Sequence, residues 1–165
     1  MMSWVPDWLA HLEREEKVLA AALLSVRQVG AALVTNDQRA LELALAGQTE
    51  VLASAQETQA VRAHLRANIA GALNLAPEAV TIRLLGQRLP GVAGEHIAGS
   101  GQRLTRLAKE VERQNHRNAL LVYHSLRFLR QLLGAITGSG TGGERYSATG
   151  ARQQAVFGSI LSTRG

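Results

Sequence analysis

The chain has no cysteine in its 165 residues. It therefore forms neither disulfides nor thiolate metal sites, and it suits a reducing cytoplasm. Aromatic residues make up only 4% of it, and no stacking platform or known nucleic-acid docking motif is present. The 46% hydrophobic content is mostly Leu, Ala and Val, a mixture that suits long helices packed side by side better than a sheet sandwich. Long apolar runs are also missing. The stretch 19–24 is among the longest and falls well short of the roughly 20 residues that span a bilayer, so no membrane span is expected. The N-terminus carries Asp7, Glu13, Glu15 and Glu16 where a signal peptide has basic and then unbroken apolar residues, which argues against a cleaved signal.

The length is that of one domain with a single core. The net charge of +5 is uneven: residues 1–75 carry 6 basic and 8 acidic groups, residues 76–137 carry 9 and 4, and residues 138–165 carry 3 and 1. In the basic half, Arg103, Arg106, Lys109, Arg113, Arg117, Arg127 and Arg130 are spread along one helical stretch. That spread reads as a solvated face, with no nucleic-acid partner.

Val5, Pro6 and Asp7 form a helix start, because proline tolerates the first turn and an early acid suits the positive end of the helix dipole. Leu9, Leu12, Leu19, Leu23, Val26 and Leu33 follow at 3-4 spacing, and only Glu16 and Gly30 break the stripe. So narrow a stripe is a coiled-coil-like seam over residues 6–34. Thr35 and Gln38 have the spacing of a capping box. A second helix is expected at once, with Leu41, Leu45, Leu52 and Ala55 on its seam and Leu65, Ile69 and Leu73 beyond. The short connection predicts an antiparallel hairpin.

Pro77 interrupts this helix, and a shorter one is predicted through Ile82, Leu84 and Leu85 up to Pro90. Gly91, Gly94, Gly99 and Gly101 each cost about 1 kcal/mol against Ala within a helix, so residues 90–101 are expected to be a loop or a weak, bent helical entry. From about residue 102 a strong helix follows, with a seam of Leu104, Leu107, Val111, Gln114, Asn118, Leu121, Ser125, Phe128, Leu132 and Ala135. Beyond Asn118 a second stripe of Val122, Leu126, Leu129, Leu133 and Ile136 widens the apolar face. Four glycines within residues 138–143 end that helix in a hinge or flexible linker. The tail then carries Tyr146 and a short segment whose Val156, Phe157, Ile160 and Leu161 share one helical face. Such a segment is too short to be stable alone and is expected to fold on contact.

No catalytic constellation stands out. Gly138, Gly140 and Gly143 fit G-x-G-x-x-G but follow a helix where the dinucleotide motif needs a strand, and Glu144 stands where a P-loop needs lysine. Histidines 11, 64, 96, 116 and 124 include no i, i+4 pair, and exposed polar histidine is the expectation for each. His116 and His124, eight residues apart, are rotated by roughly 80° and separated by about 12 Å on a helix, too far to share a metal. No cofactor and no metal are expected.

The stretch from Asn115 through Asn118 to Leu120 and Leu121, read as N-x-x-N-x-L-L, is followed by Leu126, Phe128 and Leu129, a glycine-containing break, and Tyr146 with Gly150. This pattern resembles the FlgN family of flagellar export chaperones, and the two long Leu-rich helices upstream match that family's layout. The resemblance implies a cytoplasmic type III export chaperone. Its partners would be hook-associated flagellar proteins (FlgK/FlgL type) and the flagellar export apparatus, and no covalent chemistry is implied.

The expected fold is all-α: an antiparallel long-helix hairpin or bundle with coiled-coil-like packing over residues 1–137, and a glycine-hinged, cargo-binding tail over residues 138–165. The expected protein-binding residues are Asn115, Asn118, Leu121, Val122, Leu126, Leu129, Leu133, Tyr146, Val156, Phe157, Ile160 and Leu161. For Asn118, a seam residue that fixes helix register is an equal alternative. Two other functions stay open: a non-catalytic coiled-coil adaptor or homodimer, and a bundle that binds nucleic acid through the basic helix.

Overall fold

A computed structural model describes residues 2–137. Helix α1 spans Val5–Thr35, α2 spans Gln38–Leu73, a 3-10 turn covers Pro77–Ala79, α3 spans Ile82–Arg88 and α4 spans Val92–Thr137. No strand occurs among the described residues, so the chain is all-α. It divides into two units, Met1–Val122 and Tyr123–Gly165, with the boundary inside α4.

The α1–α2 hairpin forms as its sequence predicts, but a different residue caps it. Asp37 is the N-cap of α2 and its carboxylate accepts the Ala40 N–H at 2.9 Å. Thr35 lies inside α1, where its hydroxyl donates to the Ala31 carbonyl at 3.0 Å, and Gln38 reaches Glu42 at 2.9 Å. Asn36, at φ 52°, closes α1 in the left-handed conformation, which asparagine tolerates better than most residues. That turn places Asp37, a stronger cap than Thr, at the start of α2.

The seam of α2 also differs from its leucines. Leu45 and Leu52 are exposed, whereas Ala44 and Thr58 are buried and Val51 and Ala55 half-buried. These positions lie at steps of three, four or seven residues, from 44 through 51, 55 and 58 to Leu65 and Ile69. Small residues hold the inward face, and leucine content alone does not locate it.

The core of the first unit joins all its helices. Trp4, Val5, Trp8 and Leu12 of the α1 end pack with Ile69 and Ala70 of α2, Val80, Leu85 of α3, and Ile97 and Leu104 of α4. Trp8, Leu12, Ile69, Leu85 and Ile97 are almost wholly buried, each stabilising the fold by about 1.5–3 kcal/mol through removal of apolar surface from water.

Residues 92–101 are not a loop: α4 begins at Val92. Glycine serves close packing there. A Cβ on Gly94 would lie 2.1 Å from the Leu89 carbonyl oxygen and 2.9 Å from that of Gly86. One on Gly101 would lie 2.7 Å from Ile82 Cγ2. The first turns of α4 therefore cross α3 at a distance that a side chain forbids, and the packing outweighs the helix propensity lost. Gly91, at φ +68°, makes the reversal between the two helices.

By length and composition alone α1 is long and apolar enough to cross a membrane, a test that a core helix also passes, and a third of the qualifying stretch is buried. Counting consecutive apolar residues overlooks it, because isolated polar residues such as Ser25 and Arg27 divide the runs.

Candidate protein-docking surface

Each of the two residues that break the α1 stripe lies where α4 is tied to α1. Glu16 accepts a two-pronged pair from Arg103, Nε to Oε2 and Nη2 to Oε1, both at 2.9 Å. Arg103 Nη2 also donates to Ser100 Oγ at 2.8 Å. The Arg103 hydrogen bond holds the Glu16 carboxyl below the usual carboxylate range. Farther along, Asn118 Nδ2 donates to the Val26 carbonyl at 2.7 Å, and its Oδ1 accepts from Gln114 Nε2 at 3.1 Å. Gly30 leaves the room: a Cβ there would lie 2.6 Å from Asn118 Oδ1. Between these ties Arg27 reaches Glu110 at 3.4 Å. Residue numbers rise together on both helices, so α1 and α4 run parallel in the first unit.

His11 is the exception among the histidines. It is buried in the first unit, with its ring centroid 5.7 Å from that of Trp8. Its Nε2 lies 3.2 Å from Glu15 Oε1 without an aligned hydrogen bond, and Glu15 also pairs with Arg62. Burial lowers the His11 pKa, while the Glu15 carboxylate opposes that shift. The helical position next to Trp8 and Leu12 could have disclosed this burial from sequence. Among the described residues no group of three or more His, Asp or Glu could hold a metal ion.

The structure divides the expected binding residues among buried, half-buried and exposed positions and a tail outside the described residues. Asn118 is buried in the bundle and is therefore not on an exposed surface. Asn115 is exposed and Leu121 half-buried. Val122, Leu126, Leu129 and Leu133 are all exposed, at 41%, 49%, 52% and 59%. Tyr146, Val156, Phe157, Ile160 and Leu161 lie outside the described residues. Along α4 the exposed apolar set also includes Tyr123, Phe128, Leu132 and Ile136, the last at 79%. Tyr123 stands edge-on to His124, their ring centroids 5.6 Å apart. A run of large apolar side chains this exposed is uncommon on a lone soluble domain.

The fold is that of an all-α helical-bundle protein, and its exposed apolar helix suits burial against another polypeptide. The family model described as FlgN protein matches residues 1–154. The chain belongs to the FlgN family, a family of flagellar export chaperones. No curated protein and no solved structure matches it.

Proposed function

We propose that the chain is a cytoplasmic chaperone for hook-associated flagellar subunits of the FlgK/FlgL type. It binds them before assembly, keeps them from associating early and delivers them to the export gate. The observation that carries this reading is the exposed apolar face of α4, where Val122, Leu126, Leu129 and Leu133 repeat at steps of three and four residues. An amphipathic helix of a cargo subunit can cover such a stripe by helix-to-helix packing. The tail, residues 138–165, with Tyr146, Val156, Phe157, Ile160 and Leu161, is assigned to the same task by its pattern. We read exposed Asn115 as part of this surface and buried Asn118, bonded to the Val26 carbonyl, as a helix-register residue.

Coexpression with hook-associated subunits followed by size exclusion tests the proposal. A stable heterocomplex that is lost on truncation before Gly138 is the expected result. The same apolar face supports a second reading, self-association as a homodimer or adaptor. Light scattering that finds a dimer indifferent to the truncation, with no cargo bound, would replace the first reading with the second.

A further inference from the structure

The first unit contains a cleft that the chaperone reading does not use. About 1170 Å³ in volume, it lies among α2, α3 and α4. Its apolar lining includes Trp8, Val80, Ile82 and Ala98. Around these stand Arg62, Arg66, Arg83, Arg106, Lys109 and Arg113, with Glu110 the one carboxylate in the lining.

Several of those cations are already engaged. Arg62 pairs with Glu15, Arg113 donates to Glu110 at 2.7 Å, and Arg66 is held by the Pro77 carbonyl at 2.8 Å. The carbonyl leaves the Arg66 charge uncompensated. Arg83, Arg106 and Lys109 have no acidic partner among the described residues. The cleft thus offers four uncompensated positive charges beside an apolar lining.

We infer that this cleft docks an acidic amphipathic helix of a partner protein. The sign of the charge calls for carboxylates, and the apolar lining calls for a stripe of aliphatic side chains on the same ligand. Described residues contain no strand, so an added β-strand has no sheet edge to extend, and helix-in-groove packing is the mode that fits.

Two other occupants fit worse. Residues 138–165 of this chain carry three arginines and one glutamate, the wrong sign for the site. Single-stranded nucleic acid would need exposed aromatic faces for stacking, and Trp8, the aromatic residue in the lining, is only 1% exposed.

The test is fluorescence anisotropy on the full chain with three labelled probes. The first is a peptide of about 12 residues with Leu and Ala on one helical face and Glu on the other. A scrambled peptide of identical composition and a single-stranded DNA oligonucleotide are the others. The amphipathic peptide should bind about tenfold or more tightly than the scrambled one. The double variant Arg106→Glu/Lys109→Glu, or Arg83→Glu on α3, should weaken it by about tenfold. The control Arg14→Glu/Arg39→Glu, with the same charge change as the double variant but outside the cleft, should leave it within about threefold. Circular dichroism confirms that each variant is folded.

No peptide binding, equal binding of the scrambled peptide, or equal loss in the control would overturn the inference. So would DNA that binds more tightly and displaces the peptide, or a homodimer abolished by the cleft variants, since each would name a different occupant. Cargo binding through α4 is read separately by coexpression, so either proposal can fail alone.

Discussion

Asn118 Nδ2 donates to the Val26 carbonyl at 2.7 Å, the acceptor that a regular α-helix also gives to the N–H of Gly30, four residues on. One carbonyl thereby serves both helices at the point where glycine removes the side chain between them. Removing the Asn118 amide leaves Gln114 without its partner and loses the cross-helix bond. Asn118→Ala should lower unfolding free energy by about 1–3 kcal/mol in urea titration. Gly30→Ala should also destabilise, although alanine is worth about 1 kcal/mol more than glycine within a helix, because Asn118 must move.

Gly94 supplies a second test of close approach. Its added Cβ would meet backbone, the Leu89 and Gly86 carbonyl oxygens, and backbone yields less readily than a side-chain end. Gly94→Ala is expected to cost more than about 1–3 kcal/mol, the usual range for overpacking. Gly47→Ala, where nothing lies within 4 Å of the added Cβ, should stabilise by about 0.5–1 kcal/mol. Thermal denaturation followed by circular dichroism compares the two directly.

His11 predicts a pH dependence with a definite sign. Its native pKa lies below the ordinary 6.5 because burial disfavours the charged ring. The unfolded chain therefore takes up a proton that the native chain resists. Stability from this site is full above about pH 6.5 and is lost as pH falls through the lowered native value. Glu16 acts lower on the scale, since its lowered pKa gives a contribution present above its ordinary 4.5 and lost on acidification. Urea midpoints should fall between about pH 7 and pH 5.5, and His11→Gln should flatten that fall while leaving the more acidic loss in place.

On α4, Leu126→Asp and Leu129→Asp change residues that are about half exposed in the free chain. Helical content should hold and stability should stay within about 1 kcal/mol, since neither side chain fills the core. Binding of a hook-associated subunit should weaken by at least about tenfold, because an interfacial leucine would be replaced by a desolvated charge. Isothermal titration calorimetry on the purified pair reads this loss. Unchanged affinity in both variants would remove the α4 face from the proposed site.

The long helices were legible because their capping and apolar spacing act locally: Pro6 and Asp7 begin α1, and Pro77 divides α2 from α3. Glycine was harder to read. In a one-dimensional pattern Gly94 and Gly101 signal a helix break, and their value appears only once α3 and α4 are in contact. The basic cleft shows the same limit. Arg106 and Lys109 read as a solvated face until Arg66 and Arg83 arrive beside them from other helices. Glu16 and Gly30 are the clearest case. They read as defects in a stripe, and they are where α4 is attached.

Both tryptophans of the chain, Trp4 and Trp8, sit in the buried cluster of the first unit, whereas Tyr123 opens the second. Intrinsic fluorescence excited at the indole band is therefore a private signal of the first unit. Its emission should report melting of that core and stay silent about residues beyond Val122. An optical melt and a far-ultraviolet melt of the same sample can in this way time the two parts of one continuous helix separately.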